Sequence, residues 1–256
     1  MTKKQKIFNL ALMVIVFGLL TYLSVSLSHF ENKKIEIISL DGNLHLSKEQ
    51  YFEFANLLDR NNYSNLTTQS IKDRIRKHPY VERADVRYDG NGKVSIKVSE
   101  KIFESILLFG DNQYLLTEEL QILPMLPKTK KIDYPIISNP AVENLKTLRY
   151  MNKNNDLVIA SKIISAVKLI NPELYDGFST VDLQNGGDII LYFSFFDYPV
   201  IIGRGSEIRR TIYFNNLWTH LKGKEINNFM NYVDLRYGGH VYLGIQETSK
   251  EGNKQS

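Results

Sequence analysis

Residues 7–28 contain no charged side chain, and they are bracketed by Lys3, Lys4 and Lys6 on one side and by Glu31, Lys33 and Lys34 on the other. Few environments accept such a run. As a helix it extends about 33 Å, enough for a hydrocarbon core of about 30 Å with a little tilt. Its Leu, Ile, Val and Phe side chains favour insertion by roughly 4 to 8 kcal/mol before Thr21, Tyr22, Ser24 and Ser26 erode the total. The pattern predicts one membrane-spanning helix over 7–28, with a short tail 1–6 before it and a tether 29–34 behind it. A cleaved signal peptide is the competing reading, because a basic segment precedes the run and Ser24-Val25-Ser26 supplies small residues at suitable spacing. Against it, the apolar stretch exceeds the usual signal core of about 7 to 15 residues. The lysines of the tail favour keeping it in the cytoplasm, which sends everything after Ser28 across the membrane.

Roughly 225 residues follow, room for two small domains or one elongated body. The chain has no cysteine, so it has no disulfide framework, thiolate nucleophile or Cys-based metal site. Its net charge is +4 with both signs interspersed, which gives no sign of the counterion-release electrostatics of a nucleic-acid binder. The sequence predicts an α+β body. Residues 35–40 are β-branched and nearly alternating, and Asp41-Gly42-Asn43 marks a turn. Ser47-Lys48-Glu49-Gln50 has the form of a capping box opening a helix with Phe54, Leu57 and Leu58 on one face. A second helix starts at Thr67 or Thr68, where Leu66 and Ile71 are spaced as a hydrophobic staple, and Pro79 stops it. Ala84, Val86 and Tyr88 then alternate with charged residues, Asp89-Gly90-Asn91-Gly92 turns the chain, and Val94, Ile96 and Val98 return. Residues 35–100 form a β-α-α-β-β unit.

Residues 101–246 read as a mixed β domain with two helices. Strands are expected over 106–109, 114–116, 122–123, 136–137, 178–183, 189–195 and 199–202. One helix covers 155–170, burying Leu157, Ala160, Ile164 and Val167 until Asn171-Pro172 ends it. The other covers 206–221, with Phe214, Leu217, Trp218 and Leu221 inward. A closing hairpin pairs 232–237 with 241–243 across Gly238-Gly239, and 247–256 is a polar, flexible tail.

Motifs that carry chemistry are missing. The five histidines, His29, His45, His78, His220 and His240, are scattered, and no pair stands at metal spacing. Gly203-Arg204-Gly205 lacks the third glycine and the Gly-Lys-Ser/Thr ending of a phosphate loop, so it is taken as a strand-to-helix turn capped by Ser206. There is no nucleophile elbow. The expectation is a binding protein with no catalytic residue, no cofactor, no metal and no small-molecule substrate.

Several stretches fall together in order: the basic tail with its single span, 38–43, His78-Pro79-Tyr80-Val81 with Ala84-Asp85-Val86, and Val98-Ser99-Glu100-Lys101. Tyr114-Leu115-Leu116, Ile122-Leu123-Pro124, Pro135-Ile136-Ile137-Ser138, Gly203-Arg204-Gly205 and 232–237 complete the series. In these the chain resembles the FtsQ/DivIB family of bacterial cell-division proteins. It departs from the family's pattern at Phe103 and Ser105, where Pro and Ala are usual, and at Thr117 and Leu120, where Asp and Gly are usual. The resemblance implies a membrane-proximal POTRA domain over 35–100 and an FtsQ-type β domain over 101–246. It also implies a non-enzymatic divisome scaffold in the cell inner membrane at the septum, its body extracytoplasmic. Such a scaffold recruits coiled-coil partners of the FtsB/FtsL type and, through them, the septal peptidoglycan machinery. If the last hairpin ends the sheet, a partner strand adds to it. On the matching positions Arg236 would pair with a partner carboxylate and Tyr237 would act as an aromatic anchor, with Tyr242 added on the next strand. The rival readings are a POTRA-bearing secretion or envelope-assembly protein and a membrane-anchored hydrolase.

Overall fold

The computed structural model describes residues 3–28 and 34–246. Most of the expected tether 29–34, the first two residues, and the expected tail 247–256 lie outside the described residues. Helix α1 (Lys3–Ser28) takes up the apolar run in one piece of 26 residues. From Leu12 to Leu20 every side chain is exposed, so this stretch is apolar around its circumference rather than along one stripe. The side chains of α1 are described without interruption only over 12–23. Among the described residues no helix is long and apolar enough to cross a membrane.

The chain divides into two compact units. The first comprises the residues up to Gly42, Lys48–His78 and Arg83–Val98. Its elements are β1 (Ile37–Asp41), α2 (Lys48–Phe54), a 3-10 turn (Arg60–Asn65), α3 (Thr68–Arg76), β2 (Val81–Gly90) and β3 (Lys93–Glu100). The three strands lie in the order β1-β3-β2, and β1 runs parallel to β3 from Ile37 opposite Lys93 to Asp41 opposite Lys97. This is the β-α-α-β-β order expected. Gly42 makes the turn after β1 possible: at φ +88°, a Cβ there would lie 2.2 Å from the Val98 carbonyl oxygen.

Alternation on β2 and β3 buries Ala84, Val94, Ile96 and Val98, and Ile71 and Ile75 of α3 are buried as well. Helix α3 starts as its sequence dictates. Thr67 caps it, accepting from the Ser70 N–H while the Ser70 hydroxyl accepts from the Thr67 N–H, and the staple residues Leu66 and Ile71 are both buried. The face expected on α2 is corrected. The helix stops at Phe54 and the chain reverses at Asn56, whose φ is +53°. Tyr51, Ala55 and Leu57 therefore turn inward, while Phe54 and Leu58 stay exposed.

The second unit contains β4 (Phe103–Phe109), β5 (Asn112–Thr117), β6 (Ile122–Pro124), β7 (Ile136–Ser138), α4 (Asn155–Ile170) and α5 (Pro172–Asp176). It continues with β8 (Phe178–Asp182), β9 (Ile190–Phe193), β10 (Val200–Ile201), α6 (Glu207–Leu221), β11 (Met230–Asp234) and β12 (Tyr242–Ile245). All nine strands join one mixed sheet in the order β12-β11-β10-β9-β8-β7-β4-β5-β6. Leu157, Ala160, Ile164 and Val167 of α4, with Phe214 and Trp218 of α6, are buried in one core with Leu107, Leu116, Val181 and Val233 of the sheet. The lone tryptophan is a core residue.

Two helices were expected in this part, and the structure has a third. Asn171-Pro172 ends α4 and at once begins α5: the Asn171 side-chain oxygen accepts from the Leu174 N–H, and Pro172 fills the first turn, where its missing N–H costs nothing. The departure at Leu120 is visible in the backbone. Leu120 stands at φ +62° in the β5–β6 turn, a conformation that glycine adopts without strain.

Candidate partner-binding edge

The nine-stranded sheet has two ends of different character. At the β6 end Pro124 removes a donor, the Ile122 N–H donates to the Arg149 carbonyl, and the Leu148 N–H donates to the Ile122 carbonyl. That edge is covered. At the other end β12 is the last strand among the described residues. It pairs antiparallel with β11, placing Tyr232 opposite Gly244, Val233 opposite Leu243 and Asp234 opposite Tyr242. A terminal strand presents a row of backbone N–H and C=O groups to whatever comes beside it.

The strand expected over 232–237 stops at Asp234. Its side chain causes the stop, since Oδ1 accepts from the Arg236 backbone N–H at 3.0 Å and folds the chain into an Asx turn. Arg236 and Tyr237 therefore sit in the turn between β11 and β12 rather than on a strand. The Arg236 guanidinium is already engaged. Nη2 donates to Asp234 Oδ2 at 2.6 Å, Nε donates to Asp234 Oδ1 at 3.0 Å, and Nη1 donates to Asp188 Oδ2 at 2.7 Å. Those bonds hold the Asp234 carboxyl below its ordinary value, against the burial that opposes them. Arg210 fixes the same turn from α6, donating through Nη2 to the Arg236 carbonyl and through Nη1 to the Ile202 and Arg204 carbonyls.

The three residues expected at the site are brought together. The Arg236 guanidinium lies 5.8 Å from the Tyr237 ring centroid. Tyr237 and Tyr242 meet edge to face at 5.0 Å, and their exposures are 54% and 51%. Beside them is a groove of about 600 Å³, lined by Arg209, Tyr213 and Asn216 of α6 and by the 237–241 turn. Arg209 Nε donates to the Tyr213 hydroxyl at 2.8 Å. Sequence reasoning missed this α6 wall; Arg209 and Tyr213 are simply four apart on an outer helical face, a spacing shared by many solvated pairs.

Gly203-Arg204-Gly205 is a strand-to-helix turn, as expected, but Ser206 does not cap it. Ser206 itself adopts φ +80° and its side chain makes no capping bond; the Gly205 N–H donates to Glu207 Oε1 instead. Gly203 stands at φ +59°, and a Cβ there would lie 2.8 Å from Arg236 Cγ. Arg204 points into the unit: its Nη1 pairs with the buried Asp156 at 2.8 Å, and the guanidinium also donates to the Gly187 and Leu183 carbonyls. Two of the histidines, His78 and His45, serve structure. His78 packs on Tyr51 and Phe54 at 4.5 and 4.7 Å, and His45 Nδ1 lies 2.9 Å from the Lys130 carbonyl oxygen.

Residues 33–101 match the family profile of the FtsQ-type POTRA domain, so the chain is a POTRA-bearing α+β protein. Over 225 residues it is 22% identical to the cell division protein FtsQ of Syntrophotalea carbinolica, covering 86% of this chain and 76% of that one. Over 214 residues it is 21% identical to the cell division protein FtsQ of Geotalea daltonii, covering 84% of this chain and 75% of the relative. The FtsQ-type POTRA match and these two similarities, spanning 84–86% of the chain, support the resemblance to the FtsQ/DivIB family of bacterial cell-division proteins.

Proposed function

We propose that this chain is a membrane-anchored, non-enzymatic scaffold of the division machinery, and that its β12 edge receives a strand from a coiled-coil partner of the FtsB/FtsL type. The observation that carries the reading is the pairing of a terminal strand with two half-exposed tyrosines, Tyr237 and Tyr242, beside an aromatic and cationic groove. Main-chain hydrogen bonds supply affinity in strand addition, and side-chain pockets supply specificity. Tyr is among the residue types enriched at interface hot spots. Arg236 acts as a positioning residue. Its fork is spent on Asp234 and Asp188, so it sets the turn that presents Tyr237 rather than reaching for a partner carboxylate.

Residues 7–28 of α1 hold the protein in the inner membrane with the N-terminal tail cytoplasmic, and the POTRA domain over 35–100 and β domain over 101–246 work outside it, at the septum. What supports the anchor is the uncharged run, its lysine-rich flank and its all-round apolar surface over 12–20. A partner with its own span meets the body in two dimensions, which raises their effective concentration. Through that partner the scaffold is linked to septal peptidoglycan synthesis. A photo-crosslinking residue placed at Tyr242 in dividing cells captures a small single-span coiled-coil division protein, identified by mass spectrometry, whereas one placed at Asp85 does not. Equal capture at both positions, or none at Tyr242, refutes the reading.

A further inference from the structure

Glu104 occupies an unusual place for a carboxyl group. Period-2 alternation along β4 would turn it away from Phe103 and Ser105, yet all three residues are buried in succession. A register shift against β5 between Phe103 and Ser105 produces this, because the extra residue of a bulge re-aims its side chain. Glu104 is 7% exposed and faces α4, where the Ser165 hydroxyl donates to Oε1 at 2.8 Å and Ser161 is close by. Its second oxygen, Oε2, is buried without a hydrogen-bond partner, as is the Ser105 hydroxyl.

An ionised carboxylate with one bare buried oxygen is costly, and the neighbouring cation is engaged elsewhere. Lys168 of α4 pairs at 4.0 Å with Glu118 after β5, and both groups are largely exposed. From α5, Tyr175 feels Glu104 and brings no positive charge. Burial outweighs the two serine donors and Lys168, and it pushes the Glu104 carboxyl above the ordinary carboxylate value.

We propose that Glu104 is held as a neutral carboxylic acid and that it latches α4 to β4, a joint that loosens when the proton is lost. An acid whose folded-state pKa is raised contributes stability that is complete below the unfolded value and is lost as pH rises through the folded value. Thermal unfolding of the full chain in detergent, followed from about pH 4, near the unfolded carboxylate value, to about pH 8, tests this. The wild-type midpoint falls across that range, and Glu104→Gln, neutral at every pH, removes the fall. Ser165→Ala extends the fall to higher pH, because the lost donor favoured the charged form. A Glu104→Gln chain with the wild-type pH slope overturns the proposal. Should the glutamine variant not fold, the infrared carbonyl band of a protonated carboxylic acid decides in wild type: present in the folded chain at a pH that ionises the unfolded one, and gone on unfolding, or absent, which equally overturns it.

Discussion

Removing the Arg204 guanidinium breaks a buried ion pair in the second unit. The side chain ties the turn before α6 to the first turn of α4, through Asp156, and to the 183–187 segment, through two carbonyls. Asp156 is 5% exposed, and its Oδ2 also accepts from the Ala141 N–H at 2.8 Å. Arg204→Ala therefore leaves a buried carboxylate without its cation and removes the side-chain donor of the Gly187 carbonyl, while the Leu183 carbonyl keeps the Gly186 N–H. Breaking one side of a buried pair costs about 3–5 kcal/mol. The Arg204 side chain is itself 27% exposed, so water partly re-solvates the gap and the lower end, about 3 kcal/mol, is expected. Urea unfolding of the full chain in detergent measures it as a drop in midpoint with unchanged slope. The paired change Arg204→Met with Asp156→Leu recovers most of the loss, since the uncompensated charge is then gone. A loss under about 1 kcal/mol for Arg204→Ala would refute the reasoning, because that is the worth of a surface ion pair.

Three further outcomes follow from the turn and edge. Gly203→Ala forces a left-handed conformation costing about 1–2 kcal/mol, and its Cβ, 2.8 Å from Arg236 Cγ, displaces the Arg236 fork; partner affinity falls although β12 is untouched, and an unchanged affinity in a binding assay counts against the positioning role. The Asp234 carboxyl lies below its ordinary value because Arg236 donates to it, so its contribution is present above the unfolded value near about pH 4 and is lost as pH falls through the folded value. Asp234→Asn abolishes that acid-side loss, seen as a flatter unfolding midpoint below about pH 4, and an identical acid profile would contradict the assignment. Tyr237→Ala weakens partner binding by about 2 kcal/mol with the fold intact by circular dichroism, and unaltered binding would remove Tyr237 from the interface.

Much of the fold is written in short-range signals. Helix α4 runs over the residues that its apolar spacing marks, and the staple and cap of α3 fall on Leu66, Thr67 and Ile71. What escaped depends on contacts that a local pattern does not contain. Asn171-Pro172 signals a helix end and a helix start equally well, and only the position of Leu174 in the core decides for both. Asp234 looks like an outward strand residue until its carboxylate is found bonded to the next turn. The same holds for Glu104, whose bulge is defined by register against β5 and not by its neighbours in sequence. At the candidate site, Tyr237 and Tyr242 are reached through the family resemblance and not through a local pattern, which alone suits half-buried strand residues. The engagement of Arg236 with Asp188, 48 residues distant, was not legible, and neither was the α6 wall of the groove.

Hydrogen–deuterium exchange at the backbone amides of Tyr242–Ile245 tests strand addition most directly. The full chain is compared alone and with the extracytoplasmic segment of the coiled-coil protein captured at Tyr242. Addition of a strand along the side of β12 away from β11 slows exchange there, and Tyr237→Ala reverses the slowing at equal concentration. Exchange at β12 that stays unchanged while the partner is demonstrably bound would contradict the account, and would move the contact to side chains elsewhere.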